Sequence, residues 1–243
     1  MVYLEQGMNN SPDVILFDMD DTILDDTGGT LHCWEMACNR YANQLGDVSP
    51  AVLLAAIEDY RRWYWSDAER HRLGRMDLAQ ARREIVVNAV NRLGFDAPAI
   101  AYQIADFHTD QRDKLIAPFA GALDTLKRLQ NQGLRLGLIT NGNTGPQRAK
   151  IDRFGLAVYF DCILIEGEFG IGKPDLRTYS HALNLLGATP DRAWMVGDNL
   201  EWDVAAPQRL GIFGIWNDFS GTGLPATSPV RPDRIIRTIN EFV

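Results

Sequence analysis

Asp18, Asp20 and Asp21, followed by the hydroxyl of Thr22, stand directly behind an apolar run, Val14 to Phe17. The run has the length and β-branched content of a buried strand. If that strand continued, Asp18 and Asp20 would share a face, because side chains alternate along an extended chain. Two carboxylates that close repel, and a protein seldom keeps such a pair near a core without a cation or a shared proton. Three further apolar runs also break into polar residues, at Thr140-Asn141-Gly142, at Glu166 with the loop to Lys173, and at Gly197-Asp198-Asn199. Singly, each is ordinary. Thr140-Asn-Gly is a turn sequence, Asp198 or Asn199 can cap the next helix, Asp203 suits a solvated face, and Lys173 suits an exposed loop. Together they supply carboxylates, a hydroxyl, an amide and one lysine, the set that a hard dication and an anionic substrate require. Mg²⁺ takes one or two carboxylates, waters and substrate phosphate oxygens.

The elements that must position these groups follow from the punctuation of the chain. Short apolar runs at Val14–Phe17, Leu134–Ile139, Cys162–Ile165, Ala193–Val196 and Ile212–Trp216 read as strands. Helices are expected over 122–132, 146–154, 175–186 and 201–210, each stopped by a glycine or breaking at one. The stretch Glu166 to Pro174 reads as loop, Asn217 to Pro232 as loop, and Arg234 to Phe242 as a short terminal helix. Strands alternating with helices build a parallel sheet covered on both faces. In such sheets ligands bind beyond the carboxyl ends of the strands, and the four polar clusters sit at strand ends. The last strand also ends polar, at Trp216-Asn217-Asp218, without matching chemistry.

Between the first strand and the rest lies a helical block. Helices are expected over Leu31–Leu45, over Ala51–Glu69 with Pro50 in its opening turn, over Asp77–Leu93 with Asp77 as N-cap, and from Pro98 to Lys114. The block is an insertion, so residues 1–25 and 118–243 make one domain and 26–117 another.

Composition narrows the function classes. The chain has 243 residues, 46% of them hydrophobic, enough for one large domain or two unequal ones. A formal charge of -8 argues against a general nucleic-acid or membrane-surface binder. No apolar run reaches membrane-spanning length, and the first dozen residues lack the basic start and apolar core of a secretory signal. Cys33, Cys38 and Cys162 form no CxxC pair and read as small buried residues of a reducing compartment. The expectation is a cytoplasmic protein, monomer or homodimer, that handles a small molecule.

Gly167-Glu-Phe-Gly-Ile-Gly172-Lys173 has the spacing of a nucleotide-binding P-loop, but Pro174 follows where the motif needs a hydroxyl and a backbone N–H. That reading is rejected. The succession Asp18-Met-Asp20-Asp21-Thr22, Thr140-Asn141-Gly142, Lys173-Pro174 and Gly197-Asp198-Asn199-Leu-Glu-Trp-Asp203 instead resembles the haloacid dehalogenase-like superfamily. It is most similar to the phosphatase branch whose helical cap is inserted between the first two motifs, with phosphoglycolate phosphatase-, N-acylneuraminate phosphatase- and nucleotidase-like members.

The resemblance implies a Rossmann-like parallel-sheet core with an inserted all-helical cap, and Mg²⁺-dependent hydrolysis of a small phosphorylated metabolite through an aspartyl-phosphate. Asp18 is then the nucleophile and Asp20 the general acid and base, its pKa pushed up by the charge of Asp18. Mg²⁺ falls to Asp18, the backbone carbonyl of Asp20 and Asp198. Phosphate falls to Thr140, Asn141 and Lys173, and Asp203 steadies the metal's waters or Lys173. Within the same superfamily stand 2-haloacid dehalogenase, which needs no second motif aspartate, and phosphomutase; outside enzymes stands a regulatory or scaffold protein that keeps the fold. Specificity is expected in the cap. There Arg61, Arg62, Arg70, His71, Arg72 and Arg75 surround Trp63, Tyr64 and Trp65, either as a substrate-binding cluster or as a solvated face over aromatic packing.

Overall fold

The computed structural model describes Ser11 to Phe242; residues 1–10, which include most of the stretch excluded above as a secretory signal, and Val243 lie outside the described residues. The chain forms two compact units, one made of the residues up to Asp25 and from Pro118 onward, the other of Asp26–Ala117.

The first unit is built on six parallel strands: β1 (Val14–Phe17), β2 (Arg135–Thr140), β3 (Cys162–Ile165), β4 (Ala193–Gly197), β5 (Phe213–Asn217) and β6 (Arg234–Ile236). Their order is β3-β2-β1-β4-β5-β6. All four residues of β1 are buried, as a strand covered on both faces requires. Phe17 stands opposite Leu138 of β2 and Val196 of β4, so the polar residues behind all three strands emerge at one edge. The direction of winding reverses between β1 and β4, and such a switch point opens a crevice beyond the strand ends.

The helices of this unit are α6 (Ala122–Asn131), α7 (Thr144–Arg153), a four-residue α8 (Glu166–Phe169) and α9 (Leu176–Leu186). Tyr179, Ala182, Leu183 and Leu186 of α9 share one buried cluster with Val14, Leu16, Ile139 and Met195. From the other face of β1, Phe17 meets Phe160 and Phe242 edge-on, with ring centroids 6.4 and 6.2 Å apart. Asp175 caps α9 by accepting from the Arg177 N–H at 2.9 Å, and Gly187 ends it in the left-handed conformation.

Three expectations for this unit are corrected. Residues 234–236 are a strand, paired with β5 from Ile215↔Arg234 to Asn217↔Ile236, and only a 3₁₀ turn, Ile239–Phe242, follows. The loop after β3 begins with the α8 turn. The helix expected over 201–210 starts as a π-helical stretch, Leu200–Ala205, and closes with Ala206–Gln208. A carbonyl of that widened stretch, Trp202 O, accepts the buried Tyr179 hydroxyl. Such bulges are frequent at functional sites because they re-aim a side chain.

The second unit comprises α1 (Thr30–Tyr41), α2 (Pro50–Trp65), α3 (Ala68–Gly74), α4 (Leu78–Arg92) and α5 (Pro98–Leu115). Its core gathers Trp34, Leu53, Ile57, Ile85, Val86, Val90 and Ile104. Asp77 caps α4 through the Gln80 N–H at 3.0 Å. The second helix does not run to Glu69: it stops at Trp65, and Asp67 accepts from the Arg70 N–H at 2.9 Å to start α3. No helix among the described residues is long and apolar enough to cross a membrane.

Candidate active site

Asp18 leaves β1 with its N–H donating to Val196 O at 2.9 Å, which extends the β1–β4 ladder by one rung. Its Oδ1 accepts from the Met19 N–H at 2.8 Å and from the Lys173 ammonium at 2.9 Å. Lys173 also donates to Asp203 Oδ1 at 2.6 Å. The second oxygen of Asp203 accepts from the Asn199 N–H at 3.0 Å, across the π-helical stretch. Gly197 ends β4 directly beneath this carboxylate: a Cβ there would fall 2.2 Å from Asp203 Cγ. Only glycine admits that approach.

Lys173 is placed by the loop behind β2. Asn141 grips its backbone on both sides, accepting from Lys173 N at 2.7 Å and donating to Lys173 O at 2.8 Å. The buried Glu166 accepts from the Gly142 N–H at 2.9 Å and so holds that loop from the β3 side. Asp198 is oriented from β5, where Trp216 Nε1 donates to Asp198 O at 2.7 Å. Asn217 Nδ2 donates to Asp21 O at 3.0 Å. The end of β5, which offered no chemistry as sequence, thus braces two of the other strand-end loops.

One ligand oxygen each from Asp18, Asp198 and Asp203 fall within 4.8 Å of one another. Three carboxylates around one ammonium leave a deficit of positive charge. Burial pushes the Asp18 carboxyl up to about 7, with Lys173 pulling against it and Asp203 adding to it. Asp198 is pushed up to about 9, again chiefly by burial and then by Asp18, Asp203 and Asp21. Burial pulls the Lys173 pKa down, but Asp18 and Asp203 outweigh it and hold the ammonium above the ordinary lysine value. An oxygen-seeking dication is what this donor set fits. Asp198 and the second oxygen of Asp18 are placed to hold it, since Lys173 and Met19 take Asp18 Oδ1 and both oxygens of Asp203 are engaged by Lys173 and Asn199.

Thr140, at the end of β2, is buried, and its hydroxyl accepts from Gln147 Nε2 at 2.7 Å. Asp20 turns toward α7, where Lys150 Nζ contacts its two oxygens at 2.6 and 2.7 Å. The neighbour expected from sequence was the Asp18 carboxylate; the structure adds a lysine. Gln147 and Lys150 escaped the sequence reading because they belong to no strand end. Their signal is helical phase, i and i+3 on the helix that opens behind Thr140-Asn-Gly.

The arginine cluster of the helical unit is largely spent internally. Arg61 pairs with Glu58 at 2.9 Å and Arg72 with Glu69 at 2.7 Å, while Arg62 pairs with Asp59. Arg70 lies over the Trp63 ring, 3.9 Å from its centroid, and donates to the Trp63 and Tyr64 carbonyls that end α2.

Residues 12–211 match a family model described as haloacid dehalogenase-like hydrolase. A phosphoserine phosphatase of Thermus thermophilus is 38% identical over 138 residues, 56% of this chain and 54% of that protein, so the chain spans only about half of that relative. A glyceraldehyde 3-phosphate phosphatase of Methanothermobacter thermautotrophicus is 27% identical over 202 residues, 83% of each chain. Among solved structures, a 2-haloacid dehalogenase from Pseudomonas syringae superposes with a TM-score of 0.62 at 26% identity, over 95% of this chain and 96% of that one. The HAD-hydrolase YfnB of Bacillus subtilis, solved with magnesium bound, gives 0.68 at 20% identity over 96% and 97%, a likeness of fold.

Proposed function

This chain belongs to the haloacid dehalogenase-like hydrolase family, and on that premise we propose that it is a Mg²⁺-dependent phosphomonoesterase acting on a small soluble phosphorylated metabolite. The observation that carries the reading is the grouping of the partly buried Asp18 and Asp198 with the buried Asp203 and Lys173, at the edge where β1 and β4 end. The relatives named as phosphoserine and glyceraldehyde 3-phosphate phosphatases act on small phosphomonoesters, which supports the substrate class.

Asp18 attacks phosphorus in line, forming an O–P bond as the ester P–O bond breaks, and Asp20 gives its proton to the departing alkoxide. Water then attacks the aspartyl-phosphate, Asp20 takes the proton, and the Asp18–phosphorus bond breaks to release phosphate. Dividing one displacement into two is the benefit of the covalent route. Thr140 and the Asn141 backbone hold phosphate oxygens, and Lys173 offsets charge on both the phosphoryl group and Asp18. Asp18, the Asp20 carbonyl and Asp198 would hold Mg²⁺, which would supply the positive charge that lets an anionic nucleophile meet an anionic substrate. Asp203 keeps Lys173 in place.

Likeness to a 2-haloacid dehalogenase is the rival observation. That chemistry gives Asp20 no task and brings no cation to the crowded carboxylates, so the phosphatase reading accounts for more of the site. The test is Asp18→Asn, with folding checked by circular dichroism. Wild-type protein should release phosphate from p-nitrophenyl phosphate in Mg²⁺, and the folded variant should release none. Turnover by the folded variant sinks the covalent mechanism.

A further inference from the structure

The Asp20 carboxylate projects from the loop behind β1 and is about a quarter exposed (27%), so the loop alone does not hold its rotamer. Two side chains one turn apart on α7 do. Lys150 Nζ lies 2.6 and 2.7 Å from the two Asp20 oxygens. Gln147 Nε2 lies 3.0 Å from Asp20 Oδ2, and the same nitrogen reaches Thr140 Oγ1 at 2.7 Å and Asn141 O at 2.8 Å. An amide nitrogen carries two hydrogens, so three acceptors share them, and Gln147 is buried in making that junction.

We propose that Gln147 and Lys150 are positioning residues that hold the Asp20 carboxylate at a set distance from Thr140 and Asn141, and hence from the ester oxygen of a bound phosphate. The inference rests on the phosphatase reading. An ion pair serving only to tie β1 to α7 would have no need of Thr140, yet the Gln147 amide makes the acid and the phosphate cradle one hydrogen-bonded group. Proton transfer demands donor and acceptor within hydrogen-bond reach, and a misplacement of about 1 Å costs on the order of a hundredfold. Neither residue touches phosphate or metal in this assignment; Lys150 acts through Asp20, and Gln147 through Asp20 together with Thr140 and Asn141.

Leaving groups separate this role from others. An alkyl phosphate such as glycerol 2-phosphate expels a poor leaving group that needs the Asp20 proton, whereas 2,4-dinitrophenyl phosphate expels an anion that does not. Lys150→Met and Gln147→Met should lower kcat/KM for the alkyl ester about tenfold to a hundredfold further than for the aryl ester. In Lys150→Met the inhibition constant of inorganic phosphate should stay within about threefold of wild type, since losing the lysine's bonds to Asp20 leaves the Thr140–Asn141 cradle on Gln147 in place. Lys150→Arg, which keeps the charge, should recover part of the alkyl activity. Equal losses on both esters, or an inhibition constant rising in step with the loss in Lys150→Met, overturn the proposal. If wild-type protein cleaves neither ester, the phosphatase reading fails by itself. The anchor is then decided by the Asp20 rotamer in a crystal structure of Lys150→Met: a displaced carboxylate upholds it, and an unmoved one overturns it.

Discussion

Lys173 and Asp203 lie 2.6 Å apart, and their side chains are 1% and 0% exposed. A buried charge left without its partner is costly, on the order of 3–5 kcal/mol. Asp203→Asn removes the charge and keeps the shape. Lys173 retains Asp18 at 2.9 Å, so the lower end applies, about 3 kcal/mol of stability. Urea unfolding with and without Mg²⁺ measures it. A change below about 1 kcal/mol would mean that Asp18 alone satisfies the ammonium.

Gly197→Ala should reproduce that variant without substituting a charged residue. The new Cβ would fall 2.2 Å from Asp203 Cγ, inside any allowed contact, so the carboxylate must leave Lys173 and Asn199. The expected outcome is a lower Tm and loss of turnover together. Wild-type kinetics in Gly197→Ala would show that the β4–Asp203 approach is slack.

The raised carboxyl pKa values set a pH dependence for the metal-free protein. Asp198 sits near 9 in the fold against 3.8 for an ordinary aspartate. Between those values the unfolded chain holds fewer protons than the native one, so stability falls as pH rises. In EDTA the Tm should drop from pH 5 to pH 9, and Asp198→Asn should flatten the slope. Mg²⁺ should also flatten it, because a cation among Asp18 and Asp198 favours their charged forms. Mg²⁺ should restore turnover after EDTA, and Ca²⁺, with longer bonds and higher coordination numbers, should not. Full activity in chelator would favour the dehalogenase chemistry.

His108 gives the helical unit an acid limit of its own. Its ring stacks on Trp34, with centroids 3.6 Å apart, and burial with help from Arg82 pushes its pKa down to about 3. Here the unfolded state binds the proton first, so the stabilisation is present above about pH 6.5 and is lost as pH falls toward 3. At pH 5 the loss is about 2 kcal/mol, one and a half pH units at roughly 1.4 kcal/mol each. His108→Phe keeps an aromatic ring on Trp34 and should remove that acid limb from a pH-dependent urea titration; an unchanged limb would place its origin elsewhere.

Arg62 and Arg72 face solvent in pairs one turn apart with Asp59 and Glu69. Solvent and salt screen such pairs. Alanine at either position should leave the Tm unchanged and alter kcat/KM for a phosphate ester with a second anionic group on its leaving portion no more than for p-nitrophenyl phosphate, which has none. A selective loss on the doubly anionic ester would restore this face as a specificity determinant.

What the sequence determined by itself was local or repeated. Val14–Phe17 is a buried strand because four apolar residues run into a carboxylate turn, and the remaining strand ends repeat that form, so the parallel sheet and its functional edge followed. Asp67 was legible as a cap in principle, but the apolar texture of Trp63-Tyr64-Trp65 carried the expected helix across it. Other features depended on pairing between distant segments. Arg234-Ile235-Ile236 has no strand signature beyond two isoleucines, and alignment with β5 makes it the sixth strand. Asp203 reaches Lys173 because the π-helical stretch and Gly197 bring it under the strand end. Gln147 and Lys150 stand 127 and 130 residues from Asp20. Their meeting follows from β1 lying beside β2 in the sheet, with α7 opening behind β2. Strand neighbours are chosen by the packing of whole faces, and no local stretch of sequence encodes them.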